Sequence, residues 1–159
     1  MNIGLTEEER KRSISLLNGL LADHFTLMLK VWAFHWNVVG PSFESYHKDM
    51  QELYEAQIER VDDTAERIRA LNGRTLTSMS GMMSHNHILE FGEEQPVPEA
   101  LKMWEIITND WGVLIKSIRD IHKAVPENDL GTLNFLEDMI ETMEKEDWFN
   151  RSRNATPGA

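Results

Sequence analysis

Apolar side chains recur at every third or fourth position through four long segments of the chain, and this spacing is the period of an α-helix with one buried face. The pattern predicts helices over residues 7–38, 42–72, 98–125 and 129–150. Capping and turn residues mark the ends of these segments: Thr6-Glu7-Glu8-Glu9, Gly40-Pro41, Asn72-Gly73 and Val125-Pro126. No run has the alternation of a β-strand, so the predicted fold class is all-α.

The connections between the predicted helices are short, long and short. Residues 74–98 form the long connection, which carries Gly81, Pro96 and Pro98 together with several serine and threonine residues. A connection of this length lets the helices on either side run parallel, and it has room for one short helix. The sequence therefore predicts a ferritin-like four-helix bundle with a long crossover between helices two and three. We expect a single domain, with a mobile tail over residues 151–159.

The composition limits the metal chemistry of this chain. It contains no cysteine, so any bound metal must take imidazole and carboxylate ligands, which suit iron, with zinc and manganese as competitors. The formal net charge of -11 argues against direct DNA binding, since phosphate binding needs clustered lysine and arginine. The sequence has neither a long uninterrupted apolar run nor a signal-peptide pattern, which predicts a cytoplasmic protein without a membrane contact.

Two histidines lie where the predicted hairpin brings its first two helices together. His35 continues the apolar stripe of the first helix, which places an imidazole on the buried face. His47 follows Gly40-Pro41 by about as many residues as His35 precedes it, so we expect both imidazoles at the same level. One histidine on such a stripe is usually a hydrogen-bonded core residue, whereas two at one level indicate a metal site.

Two carboxylates further along the second helix are candidate ligands as well. Asp62 and Glu66 are spaced i,i+4 and can point the same way. Asp62 follows His47 by 15 residues, which corresponds to about 22 Å along a helix axis. Metal ligands lie about 2.0 to 2.2 Å from the ion, so one straight helix cannot bring both pairs to one site. Either the pairs are unrelated, or a second copy of the chain completes the site across a two-fold axis.

The segment that contains these residues resembles the Dps family of miniferritins. The resemblance rests on Phe34-His35-Trp36-Asn37-Val38-Val39-Gly40-Pro41-Ser42-Phe43, Tyr46-His47, Glu52-Leu53-Tyr54 and Val61-Asp62-Asp63-Thr64-Ala65-Glu66-Arg67. It is strong over residues 31–73. Beyond them the helix layout and the segment Glu146-Asp147-Trp148-Phe149 support it more weakly.

The resemblance implies an iron site shared by two subunits, with His35 and His47 from one subunit and Asp62 and Glu66 from its mate as catalytic and metal-binding residues. It also implies a hollow dodecamer that oxidises Fe(II), preferably with hydrogen peroxide, and stores ferric mineral, which protects against oxidative damage. The alternative is a shell that compacts DNA with little iron chemistry. Some family members do so through lysine-rich terminal extensions, whereas no lysine precedes the first predicted helix here. A helical bundle without a metal remains the third option.

Two further residues bear on the implied iron chemistry. Gln51 stands four positions after the second histidine, where many family members have an acidic residue. A neutral amide is a poorer ligand for a hard cation than a carboxylate, so we expect one firm iron position and a weaker second one. Trp36 follows His35 directly and can donate an electron to oxidising intermediates, although packing alone equally explains a tryptophan there.

Acidic residues also cluster near the junction of the third and fourth predicted helices. In the resembling family this region lines three-fold pores, so Asp120, Glu127 and Asp129 are candidates for an iron-entry path. Helix capping by Asn128 or Asp129 explains the same stretch at least as well.

Other histidines offer rival sites. The segment Glu44-Ser45-Tyr46-His47 has the E-x-x-H spacing of conventional di-iron bundles, but the sequence holds no second E-x-x-H to complete such a site. His85 and His87 suit a surface metal such as zinc, although two histidines in a polar crossover are more often ordinary loop residues. His24 and His122 are isolated, and no role is assigned to them.

Overall fold

The computed structural model describes residues 2–155, and within them the chain forms five α-helices. These are α1 (Glu7–Asn37), α2 (Phe43–Ala70), α3 (Met79–His85), α4 (Ala100–Ala124) and α5 (Leu130–Asn154). Helices α1 and α2 form one hairpin and α4 and α5 another, while α1 also packs against α3 and α4. The predicted all-α, ferritin-like bundle with a short helix in its crossover is confirmed.

Hydrogen bonds at the helix ends explain where the first hairpin begins and ends. The amide of Glu9 donates to Thr6 Oγ1 at 3.2 Å, and the amide of Thr6 donates to Glu9 Oε2 at 2.8 Å, which completes the capping box. At the end of α2, Asn72 has a left-handed φ of 61° and the Gly73 amide bonds back to the last turn at 2.9 Å. A β-carbon on Gly73 would lie 2.7 Å from the Ile14 side chain, so only glycine lets the chain pass α1 here.

The core runs along the bundle and draws on all four long helices. Its largest fully buried side chains are Trp104 and Trp111 of α4. The Trp104 indole nitrogen donates to the carbonyl of Asn150 at 3.0 Å, which ties α4 to α5. Lys30 of α1 forms a largely buried ion pair with Asp110 of α4 at 2.5 Å. The first contact joins the two helices of the second hairpin, and the second contact joins one hairpin to the other. The candidate site lies at one end of the first hairpin.

Helix α1 is apolar enough to span a membrane by length and composition, with an 18-residue window of mean hydropathy 1.2. Of that window, 61% is buried inside the bundle. Its apolar character is therefore that of a core helix packed against its neighbours.

Helix α5 is longer than the sequence pattern predicts. Residues 151–154 of the predicted tail form the last turn of α5, and Ala155 follows the helix. The rest of the predicted tail, residues 156–159, lies outside the described residues. Arg153 accounts for the extra turn because it forms an ion pair with Asp49 of α2 and its guanidinium carbon lies 4.6 Å from the Trp104 ring centroid. These partners are distant in sequence, so helical periodicity alone does not reveal the extension.

Candidate metal centre

His35 and His47 meet at the end of the first hairpin, as the spacing around Gly40-Pro41 predicts. Their ring centroids are 3.7 Å apart and the ring planes are inclined by 22°, so the imidazoles are stacked. His35 is buried and His47 is half-buried. The short α1–α2 connection thus places two imidazoles at the surface end of the core.

Each of the two imidazoles is held by the backbone of the other residue. His35 Nδ1 donates to the carbonyl oxygen of His47 at 2.8 Å, and His47 Nδ1 donates to the carbonyl oxygen of His35 at 2.9 Å. Because a carbonyl only accepts, each Nδ1 carries the proton and each Nε2 keeps a lone pair in the neutral ring. A carbonyl on the opposite ring nitrogen is how proteins orient metal-binding histidines. The pair therefore presents two oriented Nε2 atoms, the atoms that bind metals.

Aromatic side chains enclose one side of the imidazole pair. Tyr54 of α2 meets His35 edge-on with ring centroids 5.2 Å apart. Trp32 stacks on Tyr54 at 5.3 Å and lies 5.1 Å from Trp36, whose side chain is 59% exposed. Helical periodicity places Trp32 and Tyr54 on apolar stripes and does not by itself predict that they lie beside the imidazole pair. The spacing of Trp32, three residues before His35, could have predicted that both lie on the same face of α1.

Asp62 and Glu66 lie on α2 with exposed side chains, away from the imidazole pair. They are about 22 Å or more from His47 by the rise of the helix. Among residues 2–155, no group of three or more histidine, cysteine, aspartate or glutamate side chains is close enough to hold a metal ion. One chain therefore keeps the two predicted ligand pairs apart, as an imidazole half-site (His35 and His47) and a carboxylate half-site (Asp62 and Glu66) of the candidate centre. The same finding leaves the E-x-x-H segment at Glu44 without companion ligands.

Large apolar side chains are exposed beside both half-sites. Trp36, Val39 and Phe43, around the imidazole pair, are 59%, 72% and 43% exposed, and Ile58 of α2, one turn before Asp62, is 41% exposed. Apolar groups next to functional polar groups are typical of surfaces that another protein covers. Exposed apolar side chains thus flank both half-sites, as expected where another protein covers them.

Gln51 is exposed one turn after His47. Its amide nitrogen donates to Glu55 Oε1 at 2.7 Å. Gln51 is thus paired with Glu55, one turn further along α2, and its amide offers one neutral oxygen as a ligand.

Of the three predicted pore residues, Asp129 is buried in the interior. It is the N-cap of α5, where its side chain accepts from the Thr132 amide at 3.2 Å, so the capping interpretation is confirmed for this residue. Arg67 forms an ion pair with it at 2.8 Å. Burial acts to raise the pKa of Asp129, but the hydrogen bonds from Thr132 and the charge of Arg67 outweigh it and hold the pKa below its ordinary value.

Asp120 and Glu127 are exposed and line different grooves. Asp120 pairs with Lys123 at 2.9 Å, and the hydrogen bond and charge of Lys123 lower its pKa. It lines a groove with His87, whereas Glu127 lines a second groove with Arg12. Within one chain, the structure does not bring the predicted pore carboxylates together.

The remaining isolated histidines have structural partners. His24 is fully buried, with Nδ1 2.7 Å from Gln57 Oε1 and Nε2 3.2 Å from Met139 Sδ. Burial lowers the pKa of His24 to about 3, which keeps its ring neutral. His122 Nε2 lies 2.9 Å from Glu137 Oε1 at the surface. The His24 and His122 rings therefore contact neighbouring side chains, and neither ring is part of the imidazole pair.

Known proteins are similar to this chain in sequence. The family model for the ferritin-like domain matches residues 14–154. An uncharacterised low temperature-induced protein of Nostoc sp. is 39% identical over 154 residues, which cover 96% of this chain and 85% of the relative. The DNA protection during starvation protein of Helicobacter pylori is 30% identical over 138 residues, which cover 86% and 94% of the two chains.

Solved structures agree with these relatives. A Dps protein from Vibrio cholerae, described as a member of a broad superfamily of ferritin-like diiron-carboxylate proteins, matches with a TM-score of 0.90 and 26% identity. The match covers 98% of this chain and 97% of that one. Dps of Mycobacterium smegmatis has the same fold, with a TM-score of 0.91 at 22% identity over 100% of this chain and 97% of that one. Since the ferritin-like family model and the named relatives match along most of its length, this chain belongs to the Dps family of ferritin-like miniferritins.

Proposed function

We propose that this chain is a ferroxidase and iron-storage subunit that works as part of a homo-oligomer. In this proposal Fe(II) is the substrate, bound by His35 and His47 of one subunit and by Asp62 and Glu66 of the partner subunit. Hydrogen peroxide is the preferred oxidant, and a hollow shell of twelve subunits in the cytoplasm keeps the ferric product.

The hydrogen-bonded imidazole pair of His35 and His47 is the observation that best supports the proposal. Two Nε2 atoms are oriented by reciprocal backbone hydrogen bonds of 2.8 and 2.9 Å, which fix the metal-binding tautomer of both rings. A pair of core histidines that served packing alone would need no shared tautomer. Two imidazoles by themselves leave most positions around an iron ion open, so further ligands are required.

The carboxylate half-site supplies ligands of the right kind on a second chain. A two-fold axis that pairs two hairpins antiparallel sets the imidazoles of one subunit beside Asp62 and Glu66 of the other, and symmetry then gives two equal sites per dimer. The same pairing covers Trp36 and Ile58, which are exposed in the single chain. Two nitrogen and two carboxylate ligands suit Fe(II), and zinc or manganese would compete for them.

The reaction that we propose uses one peroxide for two ferrous ions. Each Fe(II) gives up one electron, the O–O bond breaks, and hydrolysis yields ferric oxyhydroxide: 2 Fe²⁺ + H₂O₂ + 2 H₂O → 2 FeO(OH) + 4 H⁺. Because Gln51 offers only a neutral amide, the site holds one ion firmly and the other weakly. With a single ion bound, Trp36 supplies the second electron. Fe(II) and peroxide are consumed together, so they do not form hydroxyl radical.

Peroxide-driven oxidation of preloaded iron tests the proposal. The protein is loaded anaerobically with Fe(II), peroxide is added, and ferric absorbance is followed in the wild type, His35→Ala/Asp62→Ala and the matched control His122→Ala/Asp63→Ala. We expect the first variant to lose about 100-fold or more in rate, since even indirect ligand contacts contribute 10- to 100-fold. An unchanged rate would refute the assigned site. The mass of the particle in solution and its iron content test the shell and the storage role.

A DNA-compacting shell is the second candidate, and the name of the Helicobacter pylori relative favours it. The net charge of -11 opposes it. So do the ion pairs that occupy terminal cations: Lys11 with Glu7 at 2.5 Å and Arg151 with Asp147 at 2.7 Å. We therefore expect no retention in a gel shift at physiological salt. Retention at low salt with magnesium that disappears on removing residues 151–159, or on mutating residues 10–12, would favour compaction.

A further inference from the structure

A second pair of histidines carries the same ring-nitrogen arrangement as the first. His85 ends α3, and its Nδ1 donates to the carbonyl of Gly81 at 2.9 Å. His87 Nδ1 lies 3.1 Å from Asp23 Oδ2 and donates to that carboxylate. Both rings are thereby set in the tautomer whose Nε2 keeps its lone pair. In the described part of the chain neither Nε2 has a hydrogen-bond partner, and both side chains are exposed.

Asp23 gives the second pair its rigid support. Its side chain is fully buried on α1 and accepts hydrogen bonds from the backbone amides of His87 and Ile88, the latter at 3.2 Å. These two bonds suffice to anchor the crossover to α1. The third bond, to the His87 ring, also fixes the ring orientation, and a carboxylate on the opposite nitrogen is the usual support of a metal-binding histidine.

The backbone between the two histidines sets their spacing. Asn86 has φ -74° and ψ 150°, an extended conformation. Only Asn86 separates the two histidines, so their Cα atoms lie at most about 7 Å apart. The Asn86 side chain donates to Thr26 Oγ1 at 3.2 Å and to the Ile88 carbonyl at 2.9 Å, which holds this conformation. Two imidazoles at this spacing can bind one ion, since a zinc–nitrogen bond is about 2.0 to 2.1 Å long.

We propose that His85 and His87 form a second metal site, which binds a divalent transition ion of the zinc class through both Nε2 atoms. The proposed site has two imidazole donors and no carboxylate, unlike the proposed intersubunit centre. Among residues 2–155 no third histidine, aspartate or glutamate converges on this pair. Water fills the remaining positions. Imidazole without carboxylate favours zinc, copper and nickel over magnesium, calcium or manganese. This site does not depend on the proposed ferroxidase function.

Zinc binding to the assembled protein tests the proposal. Equilibrium dialysis against Zn(II) is compared for the wild type, His85→Asn/His87→Asn, His35→Ala/His47→Ala and the control His122→Asn. We expect the His85/His87 variant to bind one zinc fewer per subunit than the wild type, and the His122 control to match the wild type. The His35/His47 variant keeps the new site even though it loses the intersubunit one, so the two proposals fail separately. Equal zinc binding by the wild type and the His85/His87 variant would overturn the site.

Spectroscopy of the His35→Ala/His47→Ala protein gives a measurement that does not depend on whether the His85/His87 variant folds. With Cu(II) as the probe, we expect electron paramagnetic resonance to show coupling to two imidazole nitrogens. Adding Asp23→Asn should weaken binding by about 10- to 100-fold while the two-nitrogen signal returns at saturation, as expected of a positioning residue. A copper signal without nitrogen coupling would refute the proposal.

Discussion

The two half-sites of the candidate centre differ in how much of their geometry one chain fixes. His35 and His47 are stacked at 3.7 Å, and each is held by the other's carbonyl. Asp62 and Glu66 are exposed, and their side chains form no ion pair or hydrogen bond within residues 2–155. The chain therefore orients the nitrogen half of the candidate centre by itself, and in our proposal association with a second subunit positions the oxygen half.

The difference follows from the chemistry of the two ligand types. An imidazole binds a metal through one nitrogen in one tautomer, so it must be oriented in advance. A carboxylate has two equivalent oxygens and stays ionised, so it can adjust when an ion arrives. One adjustable half suits the proposed centre, which takes up Fe(II) and releases ferric product. In that proposal the centre forms only when two subunits associate.

Complementation between two inactive variants tests most directly whether two subunits share the centre. His35→Ala/His47→Ala keeps the carboxylate half-site, and Asp62→Ala/Glu66→Ala keeps the imidazole half-site. Each variant alone should lose about 100-fold or more in peroxide-driven iron oxidation. Subunits mixed in equal amounts, unfolded and reassembled together should recover about one quarter of wild-type activity, because half of the dimers are mixed and each mixed dimer has one intact site of two.

The control for complementation is the same mixture combined without unfolding, so that no subunits exchange, and its activity should stay at the sum of the two variants. If the reassembled mixture also stays there, while its mass and helicity match the wild type, the centre is not shared between subunits. Recovery well above one quarter would point to preferential pairing of unlike subunits.

Much of the fold follows from local signals. The Thr6 capping box, the Gly40-Pro41 turn and the left-handed Asn72 before Gly73 each act within a few residues, and the helices begin and end near them. The last turn of α5 could not be predicted because Arg153 depends on partners far away in sequence. Local propensity does not contain such contacts.

The candidate site divides in the same way. Helical spacing and the hairpin turn predict that His35 and His47 share a level, and the residue count predicts that Asp62 lies too far away to join them. The reciprocal bonds to backbone carbonyls depend on ring rotation after packing, so sequence cannot supply them. Asp129 shows the limit most clearly, because only the structure reveals that its carboxylate is buried against Arg67.

The pH dependence of the free energy of unfolding tests the burial of His24, which is not one of the candidate ligand histidines. The pKa of His24 falls from 6.5 to about 3 through burial, so the unfolded chain binds more protons between these values. The stabilisation from neutral His24 is complete above pH 6.5 and declines as pH falls toward 3, by up to about 1.4 kcal/mol per pH unit. Urea unfolding at pH 7 and pH 5 should therefore show a loss of about 2 kcal/mol from this residue.

The variant His24→Gln isolates that contribution. It should be less stable at pH 7, because it disturbs the contacts to Gln57 and Met139, but its stability should fall less steeply with acid. His122→Gln, which makes the same substitution at a half-buried histidine, serves as the matched control for the change itself. If His24→Gln and the wild type lose the same free energy between pH 7 and pH 5, His24 does not titrate as its burial implies.

Gln51→Glu tests whether the oxygen half of the centre limits iron binding. The new carboxylate lies one helical turn after His47, so anaerobic Fe(II) titration should move from one firmly bound ion per proposed site toward two. Folding should be weaker by roughly 0.2 to 0.5 kcal/mol, since the bond to Glu55 is replaced by repulsion between like charges at i,i+4. Gln51→Ala removes the bond without adding a ligand. The interpretation of Gln51 fails if the Glu and Ala variants bind the same number of ions.

Trp36→Phe is expected to have the smallest effect on rate and the most specific effect on products. The side chain is 59% exposed, so its loss in the single chain removes little packing. With two irons per site the metal supplies both electrons, and the oxidation rate should stay within about twofold of wild type, a barrier change under about 0.5 kcal/mol.

With one iron per site the second electron must come from the protein. Freeze-quenched samples should then show a tryptophan radical by electron paramagnetic resonance in the wild type and a much weaker one in Trp36→Phe. Equal radical yields would assign the donor elsewhere, and Trp32→Phe, at the ring 5.1 Å away, would test the nearest alternative.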